Sequence, residues 1–391
     1  MKRVDTDVVI IGAGFAGYAA ASAIRRKGLH TTILEHASVL GGNAVQSNVG
    51  TICGNYLRTN SNSVKQLDHP MINHIIEVLD LKPLVLKNGL IVNPYKIGEL
   101  KHLLNQELGD SKYIDLKLNA RIEQAFHSNE LIEALKVNCR GDNLLIYAKA
   151  FVDCSGNGAI AQLVKAPMIK SESYQNASQV FQVDNIETTN EFSLNMAISR
   201  AVLGKIRSGT LSEVYQSCSL VPGSYSQNSA LIKFSIPYEI TDLVDSKDIK
   251  KIGASCTQSI YSILKSEVES MRDAVLNTDL PIPGVRVLQR TEGIEILKKH
   301  HVINAIKQKN SAARGTWPME IWEPSGCVRM EYFDANEYYD IPDSCIRAKN
   351  HTNLFLAGKN ISATNEAISS SRVMGTCLQT GFSAGCLAVE I

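Results

Sequence analysis

The sequence predicts an α/β fold in which a mainly parallel sheet, accompanied by an antiparallel meander, is interrupted by a second unit of α+β type. Three observations predict this arrangement. The chain opens on a β-branched run, a glycine-rich turn and a helix, and short strand-like runs follow in succession. It closes on an apolar strand and a helix rich in small residues. Because strands that alternate with helices form parallel sheets, we expect both ends of the chain to share one sheet.

Composition and charge exclude several classes of protein. Of the 391 residues, 44% are apolar and 20% are charged, which excludes a disordered or collagen-like chain. Lysine and arginine total 40 against 39 acidic residues, so charge gives no reason to expect nucleic acid or an anionic membrane as a partner. The nine cysteines show no C-x-x-C or zinc-ligand spacing, which predicts reduced thiols, no metal site and a cytoplasmic protein.

The uncharged stretch 8–24 must be distinguished from a signal peptide or a membrane span. It is short for a span, and the charges that follow it, Arg25, Arg26 and Lys27, lie on the wrong side for a signal. It also carries three glycines in a meaningful pattern. We therefore predict a buried strand and helix here, and no transmembrane segment.

The opening segment has the full context of a dinucleotide-binding turn. Residues 6–11 predict a central strand buried on both faces, and the glycine-rich turn 12–17 follows directly. Residues 18–24 predict a helix, and residues 31–34 a second strand that ends in Glu35. Position, strand, helix and acid all agree, so the turn is more than an isolated glycine motif.

Each glycine of this turn has a distinct expected role. Gly12 permits the tight turn, Gly14 lets the backbone approach a pyrophosphate, and Gly17 lets helix and strand pack closely. The helix N-terminus directs free N–H groups at the phosphates. Glu35 is placed to accept hydrogen bonds from ribose hydroxyls, which disfavours a 2′-phosphate.

A second glycine pair, Gly41 and Gly42, favours FAD over NAD. In a simple NAD enzyme this region enters the next helix, whereas flavoproteins place a glycine-rich loop here, beside the pyrophosphate and the ribityl chain. Taken alone, the pair is equally typical of a plain turn. Coupled to the first motif, it predicts a Rossmann-like FAD-binding domain.

The middle of that domain is predicted to be a helix followed by a meander. The helix spans residues 96–108, and the strand-like runs of the meander are 113–117, 120–126, 131–138 and 144–148. Residues 149–153 are then predicted to return as an apolar strand. The turn 154–159 then imitates a second nucleotide motif. Pro167 stops the next helix early and no strand with an acid follows, so we predict a second closure of the FAD site and no NAD(P)H domain.

The remainder is divided into an insert and a return to the first domain. Residues 1–170 and 325–391 are predicted to form the FAD-binding domain, and residues 171–324 the substrate domain. The insert has strand-like runs at 179–183 and 230–236 and amphipathic helices at 256–275 and 299–307. The returning segment is predicted to be a strand at 352–358 and a helix at 373–388.

Several motifs resemble those of one family. Residues 153–158 read DCSGNG, residues 353–367 read NLFLAGKNISATNEA, and residues 372–377 read RVMGTC. Further matches are GVRVLQR at 284–290, ARGTWPMEIW at 313–322 and YYDIP at 338–342. The chain resembles the FAD-dependent oxidoreductase family with a glutathione-reductase-type FAD domain, specifically the subgroup with DATGDGD-like and NLLVAGRCISATHEA-like motifs.

The resemblance and the motifs together imply a set of FAD contacts. The amides that open the last helix, at 373–377, should face the flavin pyrimidine and stabilise the reduced ring. The predicted cofactor contacts are Gly12, Gly14, Phe15, Ala16, Gly17, Glu35, His36, Gly41, Gly42, Asn43, Ile122, Ser155, Gly156, Gly358, Met374, Gly375 and Thr376.

The chain also departs from the subgroup's pattern. Cys154 and Ser155 replace the usual Ala-Thr, and Lys359 replaces an arginine. Asn365 replaces a histidine that often lies near the flavin, so an acid/base role resting on that histidine is lost here.

Candidates for substrate contact and catalysis follow from residue type. The candidates for substrate contact are Arg286, Arg290 and Trp317, and the candidates for catalysis are Arg290, Arg372, Tyr339 and Cys53. Arginine suits a carboxylate, although an ion pair between domains is the alternative for each. A core position is the alternative for Tyr339, and a packing thiol for Cys53, which has no partner cysteine nearby. His300 and His301 are expected to lie on the surface.

The leading functional hypothesis is an FAD-dependent oxidase or dehydrogenase. Hydride would pass from a C–N, C–O or CH–CH bond of a small metabolite to flavin N5, and O2 or another acceptor would reoxidise the flavin. The alternatives are a flavin enzyme that modifies RNA or a carrier-bound substrate, and a flavin monooxygenase. A homo-oligomer is compatible with the sequence.

Overall fold

The computed structural model describes residues 1–61, 63–171, 175–188, 190–236, 246–287 and 289–391, without the side chains of residues 246 and 247. Leu288, within the motif at 284–290, lies outside the described residues, as do parts of the predicted insert. The described residues confirm a mixed α/β fold with one parallel sheet and several antiparallel ones.

The centre of the molecule is a five-stranded sheet in which every pair of neighbours is parallel. Its strands lie in the order Leu354–Leu356, Ala150–Asp153, Val8–Ile11, Thr31–Glu35 and Ile114–Leu118. All four residues of Val8–Ile11 are buried, as expected for a β-branched strand covered on both faces. The strand Leu354–Leu356 pairs with Ala150–Asp153, so both ends of the chain do share one sheet.

The meander forms a second sheet beside the first. Strands Ala120–Ser128, Leu131–Cys139 and Asp142–Tyr147 pair antiparallel, and Lys2–Asp5 lies parallel to the last of them. The predicted run 113–117 is the exception, because it joins the central parallel sheet as Ile114–Leu118. The preceding helix, Ile97–Gly109, supplies the crossover that a parallel neighbour requires.

Two helices from opposite ends of the chain pack closely on this sheet. A Cβ added at Gly381 in Met374–Ala388 would lie 2.1 Å from Ala16 O in Phe15–Arg26, and one at Gly385 would lie 2.6 Å from Ala20 O. Only glycine allows the two backbones to approach this closely.

A separate hydrophobic cluster occupies the predicted insert. It is built from buried residues between Ala177 and Ala274. An antiparallel sheet crosses it in the order Ser219–Leu220, Ala230–Ser235, Ser178–Asp184 and Val275–Leu276, with helices Glu191–Arg207 and Ser246–Glu267. Val287 and Leu297, further along, belong to the larger cluster of the parallel sheet. The domain boundaries at 170/171 and 324/325 stay a prediction.

Two helix predictions were wrong in their bounds. The helix predicted at 256–275 spans Ser246–Glu267, and the apolar residues that follow enter a 3-10 turn and a short strand instead. The helix predicted at 299–307 ends at Ile303, because Ala305 adopts a left-handed conformation with φ +46° that no α-helix continues through.

Smaller elements complete the fold. The strands are Thr51–Cys53, Leu84–Val85, Ile91–Pro94, Met168–Lys170, Gln289–Thr291, Ser311–Gly315, Met319–Trp322, Val328–Glu331 and Tyr339–Pro342. The α-helices are Asn43–Gln46, Pro70–Val78, Ala159–Leu163, Lys299–Ile303 and Asn365–Ser371, and the 3-10 helices are Glu213–Ser217, Glu269–Met271, Asp343–Cys345 and Gly358–Asn360. Among the described helices, none combines the length and apolar character needed to cross a bilayer.

His69 couples the fold to pH. Its ring accepts a hydrogen bond from Met71 N–H at 3.2 Å as the cap of helix Pro70–Val78, and lies 5.5 Å from the Phe382 ring. Burial, together with nearby Arg26, lowers the pKa of His69 to about 4. In the unfolded chain this ring has an ordinary pKa near 6.5. Between pH 6.5 and pH 4 the unfolded chain therefore binds a proton that the folded protein does not, and the free energy of unfolding falls as the pH falls through this range.

We expect the wild type to lose about 1 kcal/mol more unfolding free energy than His69→Asn between pH 7 and pH 5. Asparagine also caps helices but does not titrate. Urea unfolding at the two pH values measures the difference. Parallel pH profiles for the two proteins would refute this role.

Candidate active site

The first glycine turn is closed by backbone contacts that exclude any side chain. Gly12 has φ +90°, and a Cβ there would lie 2.8 Å from Cys154 O. A Cβ on Gly17 would lie 1.9 Å from Gly12 O. The turn therefore joins strand Val8–Ile11 to the following helix by direct backbone packing, as the sequence predicts.

Gly14 differs from these two because open space adjoins it. A Cβ there would meet nothing closer than Gly42 Cα, at 3.9 Å. The second glycine loop is tied to the first by a 2.9 Å hydrogen bond from Gly41 N–H to Ala13 O. Two backbone-lined loops thus face each other at the N-terminus of helix Phe15–Arg26, which is a suitable cradle for an anionic group.

Glu35 lies at the carboxyl end of its strand, next to that cradle. Its carboxylate is buried and accepts hydrogen bonds from Ala13 N–H at 2.7 Å and Ala37 N–H at 2.8 Å. These bonds fix its orientation, while each oxygen keeps capacity for a further donor such as a ribose hydroxyl.

The third loop is shaped by the buried side chain of Asp153. One carboxylate oxygen accepts from Ser155 N–H and Oγ–H, at 3.0 and 2.5 Å, and the other accepts from Ile160 N–H at 3.0 Å. The short helix Ala159–Leu163 follows, and the next strand pairs antiparallel with Gln289–Thr291. In the described residues this turn thus leads to no further parallel βαβ unit.

The last helix presents its N-terminus next to unpartnered polar atoms. Its first intrahelical hydrogen bond runs from Cys377 N–H to Val373 O at 2.9 Å. The backbone N–H groups of the residues before Cys377 therefore have no acceptor within the helix. Gly375 is required because a Cβ there would lie 2.4 Å from Asn55 Oδ1. Within the described chain, Thr376 Oγ1 and Asn55 Oδ1 are buried without a hydrogen-bond partner. A bound ligand at this point would satisfy them.

Charged side chains gather near the start of the last helix, where two tryptophans hold one carboxylate. The region of Glu320, Arg286, Arg372, Lys359 and Lys233 is called the charged cleft below. Trp317 Nε1–H donates to Glu320 Oε2 at 2.7 Å, and Trp322 Nε1–H donates to Oε1 at 2.8 Å. Burial alone would raise the pKa of Glu320, but Lys233, the Trp317 N–H and two arginines together lower it. Glu320 is therefore ionised at neutral pH.

Arg286 and Arg372 are held near this carboxylate by neutral partners. Arg286 Nη1 donates to Asn176 O, and its guanidinium lies 4.0 Å from the Trp322 ring centroid. Arg372 Nη2 donates to Gln175 Oε1 at 2.8 Å and to the main-chain oxygen of Glu320 at 3.1 Å. These contacts orient both guanidinium groups without neutralising them.

Lys359 connects the cleft to the third glycine loop. A Cβ on Gly156 would lie 2.8 Å from Lys359 Cε, and Lys359 Nζ lies 3.4 Å from Val285 O. Burial lowers the pKa of Lys359, and the nearby Arg372 and Arg286 lower it further. The cationic side chains therefore face a common region.

The family comparison identifies the chain. The family described as FAD dependent oxidoreductase matches residues 7–390. The chain belongs to this family. FAD is accordingly the cofactor of this FAD-dependent oxidoreductase, and the enzyme class predicted from the sequence is confirmed.

Individual relatives are more distant. Dihydrolipoamide dehydrogenase of Chaetomium thermophilum is 40% identical over 80 residues, which cover 20% of this chain and only 16% of the relative. A geranylgeranyl bacteriochlorophyll reductase-like protein of Thermoplasma acidophilum is 10% identical, with a TM-score of 0.48, over 98% of this chain and 77% of the other. The p-nitrophenol 4-monooxygenase PnpA of Pseudomonas putida DLL-E4 is 11% identical, with a TM-score of 0.47, over 98% and 78%.

The residues of this FAD-dependent oxidoreductase fit the cofactor. The gap beside Gly14 suits the pyrophosphate, Glu35 suits the ribose, and the orphaned Thr376 hydroxyl lies where the flavin end is expected. Phe15, Ala16 and Gly358 are buried around the first and last helices. Ser155 and Gly156 lie in the loop that Asp153 shapes.

Three further predicted contacts lie in more open surroundings. His36 and Asn43 are exposed, and Ile122 is half-buried in the meander opposite Val137. Their contact with FAD stays a prediction.

The structure separates the substrate and catalytic candidates into two groups. Arg286, Arg372, Trp317 and Cys53 lie in or beside the charged cleft. Burial raises the pKa of Cys53 to about 12, and the nearby Glu320 adds to this, so Cys53 is a neutral thiol.

Arg290 and Tyr339 are instead fully buried, where their polar groups bond to other parts of the protein. Arg290 is fully buried and donates to Ala363 O and to Asn365 Oδ1, the latter at 2.9 Å. Tyr339 is also fully buried, with its hydroxyl 2.7 Å from Ser370 Oγ, and burial raises its pKa. His300 is exposed and His301 half-buried on a short helix.

Three residues of the cleft, Glu320, Lys233 and Gln175, were not among those predicted from the sequence. The alternation of Glu320 and Trp322 on one strand was a usable signal, since residues two apart on a strand share a face. Lys233 and Gln175 reach the cleft from remote parts of the chain and carry no local signal.

We expect Glu35→Gln to lower FAD affinity about tenfold, because the amide group loses one of the two acceptors that Ala13 and Ala37 use. Titrating the FAD-free protein with FAD, followed by flavin fluorescence, measures the affinity. Glu77→Gln, at an exposed carboxylate, is the control and should bind as the wild type does. Equal affinity in both variants would contradict the assignment.

Proposed function

We propose that this FAD-dependent oxidoreductase oxidises a small organic metabolite by hydride transfer from a C–N, C–O or CH–CH bond. FAD, when bound, supplies the hydride acceptor. The observation that carries the proposal is the position of the charged cleft. Arg372 and Val373 come directly before the helix that opens with Met374, so one wall of the cleft continues into the N-terminus expected to face the flavin.

The described side chains supply orientation and electrostatics. Arg286 and Arg372 are fixed by hydrogen bonds, which limits the entropy lost when they bind a substrate. The amides that open the last helix stabilise negative charge that develops nearby.

The surroundings of the predicted catalytic residues Tyr339 and Cys53, and of Asn365, support this division of labour. Tyr339 is buried behind the cleft and bonded to Ser370, while the Cys53 thiol stays protonated at neutral pH. Asn365, which replaces the subgroup's histidine, accepts from Arg290 and Ser171. Tyr339 and Asn365 are thus engaged by protein partners, and the protonated Cys53 thiol is not available as a base.

Anaerobic mixing of the purified yellow protein with fractionated metabolite pools tests the proposal. Bleaching of the flavin's blue band by one fraction, reversed by O2 or an added acceptor, is the expected result. Bleaching by NADPH alone would instead support a monooxygenase. A flavin that no metabolite fraction reduces would overturn the proposal.

A further inference from the structure

The cleft contains an excess of positive charge that the described protein does not neutralise. Four cationic side chains surround it: Arg286, Arg372, Lys359 and Lys233. None of them forms a salt bridge with any described residue. Such an excess in a partly buried site favours binding of an anion.

Among the described residues, the carboxylate of the cleft, Glu320, is already engaged. Both oxygens of Glu320 accept indole N–H groups, from Trp317 and Trp322, at 2.7 and 2.8 Å. The two tryptophans hold Glu320 in place, and it stays unpaired with Arg286 and Arg372. The guanidinium groups are thereby left available for a ligand.

Arg372 provides the most specific sign of a missing ligand. Its Nη2 has two acceptors, Gln175 Oε1 and Glu320 O, but its Nη1 is buried and has no acceptor among the described residues. Burial, partly offset by Glu320, lowers the pKa of Arg372 to about 10. A buried N–H group of a guanidinium is costly to leave unpaired, and a carboxylate oxygen is its best acceptor.

An apolar wall adjoins the charged one. Trp317 packs with Leu90 and Val92, and Cys53 and Val373 contact the same cluster. Cys53 and Val373 are only partly buried, so a ligand that reaches Arg372 with its charged end can place a hydrocarbon end against these two residues, the apolar wall.

We propose that this cleft binds the carboxylate of an organic acid, with Arg372 and Arg286 as the carboxylate ligands and Lys359 and Lys233 as supporting charges. The inference rests on the proposed function for the statement that this acid is the substrate. The apolar wall then directs the carbon skeleton toward the N-terminus of the last helix. Substrates without an anionic group would leave the cationic groups uncompensated and should bind poorly.

Matched pairs of acids and amides test the proposal on the FAD-loaded protein. Acetate, butyrate and phenylacetate are each titrated beside acetamide, butyramide and phenylacetamide at constant ionic strength. The readouts are the flavin difference spectrum and the melting temperature, neither of which requires turnover. At least one acid should bind saturably while its amide does not.

Arg372→Gln and Arg286→Gln should each lower the affinity for that acid by about tenfold or more. Arg207→Gln, at an exposed helix end, is the matched control and should leave binding unchanged. Retention of FAD and an unaltered melting temperature without ligand establish that the variants are folded. If a variant fails this check, Arg372→Lys and Arg286→Lys replace it, and their weaker, single-point contact should still reduce acid binding.

The outcomes separate this inference from the proposed function. Acid binding that is lost in both arginine variants, with no metabolite that reduces the flavin, supports the site and overturns the oxidation. A neutral metabolite that reduces the flavin, with no acid bound, supports the oxidation and overturns the site. Equal binding of acid and amide, or equal binding by Arg372→Gln and wild type, also overturns the site.

Discussion

Gly14→Val should yield a folded protein that no longer retains FAD. Gly14 has an ordinary φ of −75°, so a β-branched residue is not strained there, and its Cβ would meet no described atom closer than 3.9 Å. The two methyl groups would occupy the gap between Gly14 and Gly42, where the pyrophosphate has to lie. The protein without cofactor therefore tolerates the substitution, while cofactor binding does not.

Visible absorbance after purification, and after reconstitution with excess FAD, measures the loss. The variant should be colourless in both samples, and its melting temperature should match that of FAD-free wild type. Gly98→Val, at an exposed glycine with no atom within 4 Å, is the control and should remain yellow. A Gly14→Val protein that is folded and yellow would refute the cofactor site.

Gly381→Ala should destabilise the protein by about 3 kcal/mol or more, at the upper end of overpacking effects. The added Cβ would lie 2.1 Å from Ala16 O, a main-chain atom that moves only if the helix Phe15–Arg26 moves with it. Separating these helices also shifts the N-terminus of Met374–Ala388, so FAD affinity should fall together with stability. Urea unfolding gives the free-energy change.

The same substitution at Gly204 provides the control of opposite sign. Gly204 lies on the exposed face of helix Glu191–Arg207, with open space around its Cβ position. Gly204→Ala should raise the free energy of unfolding by about 0.5–1 kcal/mol, because alanine restricts the unfolded chain. If Gly381→Ala instead raised the free energy of unfolding, as Gly204→Ala is expected to do, close packing at Gly381 would not be the reason for the glycine.

The parallel sheet and the first glycine loops were predictable because their signals are local. The β-branched run that became Val8–Ile11 needs burial on both faces wherever it lies. The positive φ of Gly12 and the backbone contact at Gly17 follow from the turn itself. Glu35 comes at a fixed distance along the same βαβ unit.

The charged cleft was only partly predictable, because its members meet through tertiary structure. Arg286 and Arg290 are the same residue type in one short stretch of sequence, so the sequence alone does not distinguish their roles. Only the fold determines that Arg290 is buried against Ala363 and that Arg286 stacks on Trp322. The early end of the helix at Ile303 likewise rests on the left-handed Ala305, a residue that carries no stop signal.

The close pairing of the first and last helices has a consequence for biosynthesis. Phe15–Arg26 is synthesised before the predicted insert, whereas Met374–Ala388 and the edge strand Leu354–Leu356 are synthesised after it. Domains fold as units while the chain leaves the ribosome, so the first glycine turn must wait without its partners. FAD can therefore be enclosed only after these later segments emerge, and a chain cut before Leu354 should be unable to retain the flavin.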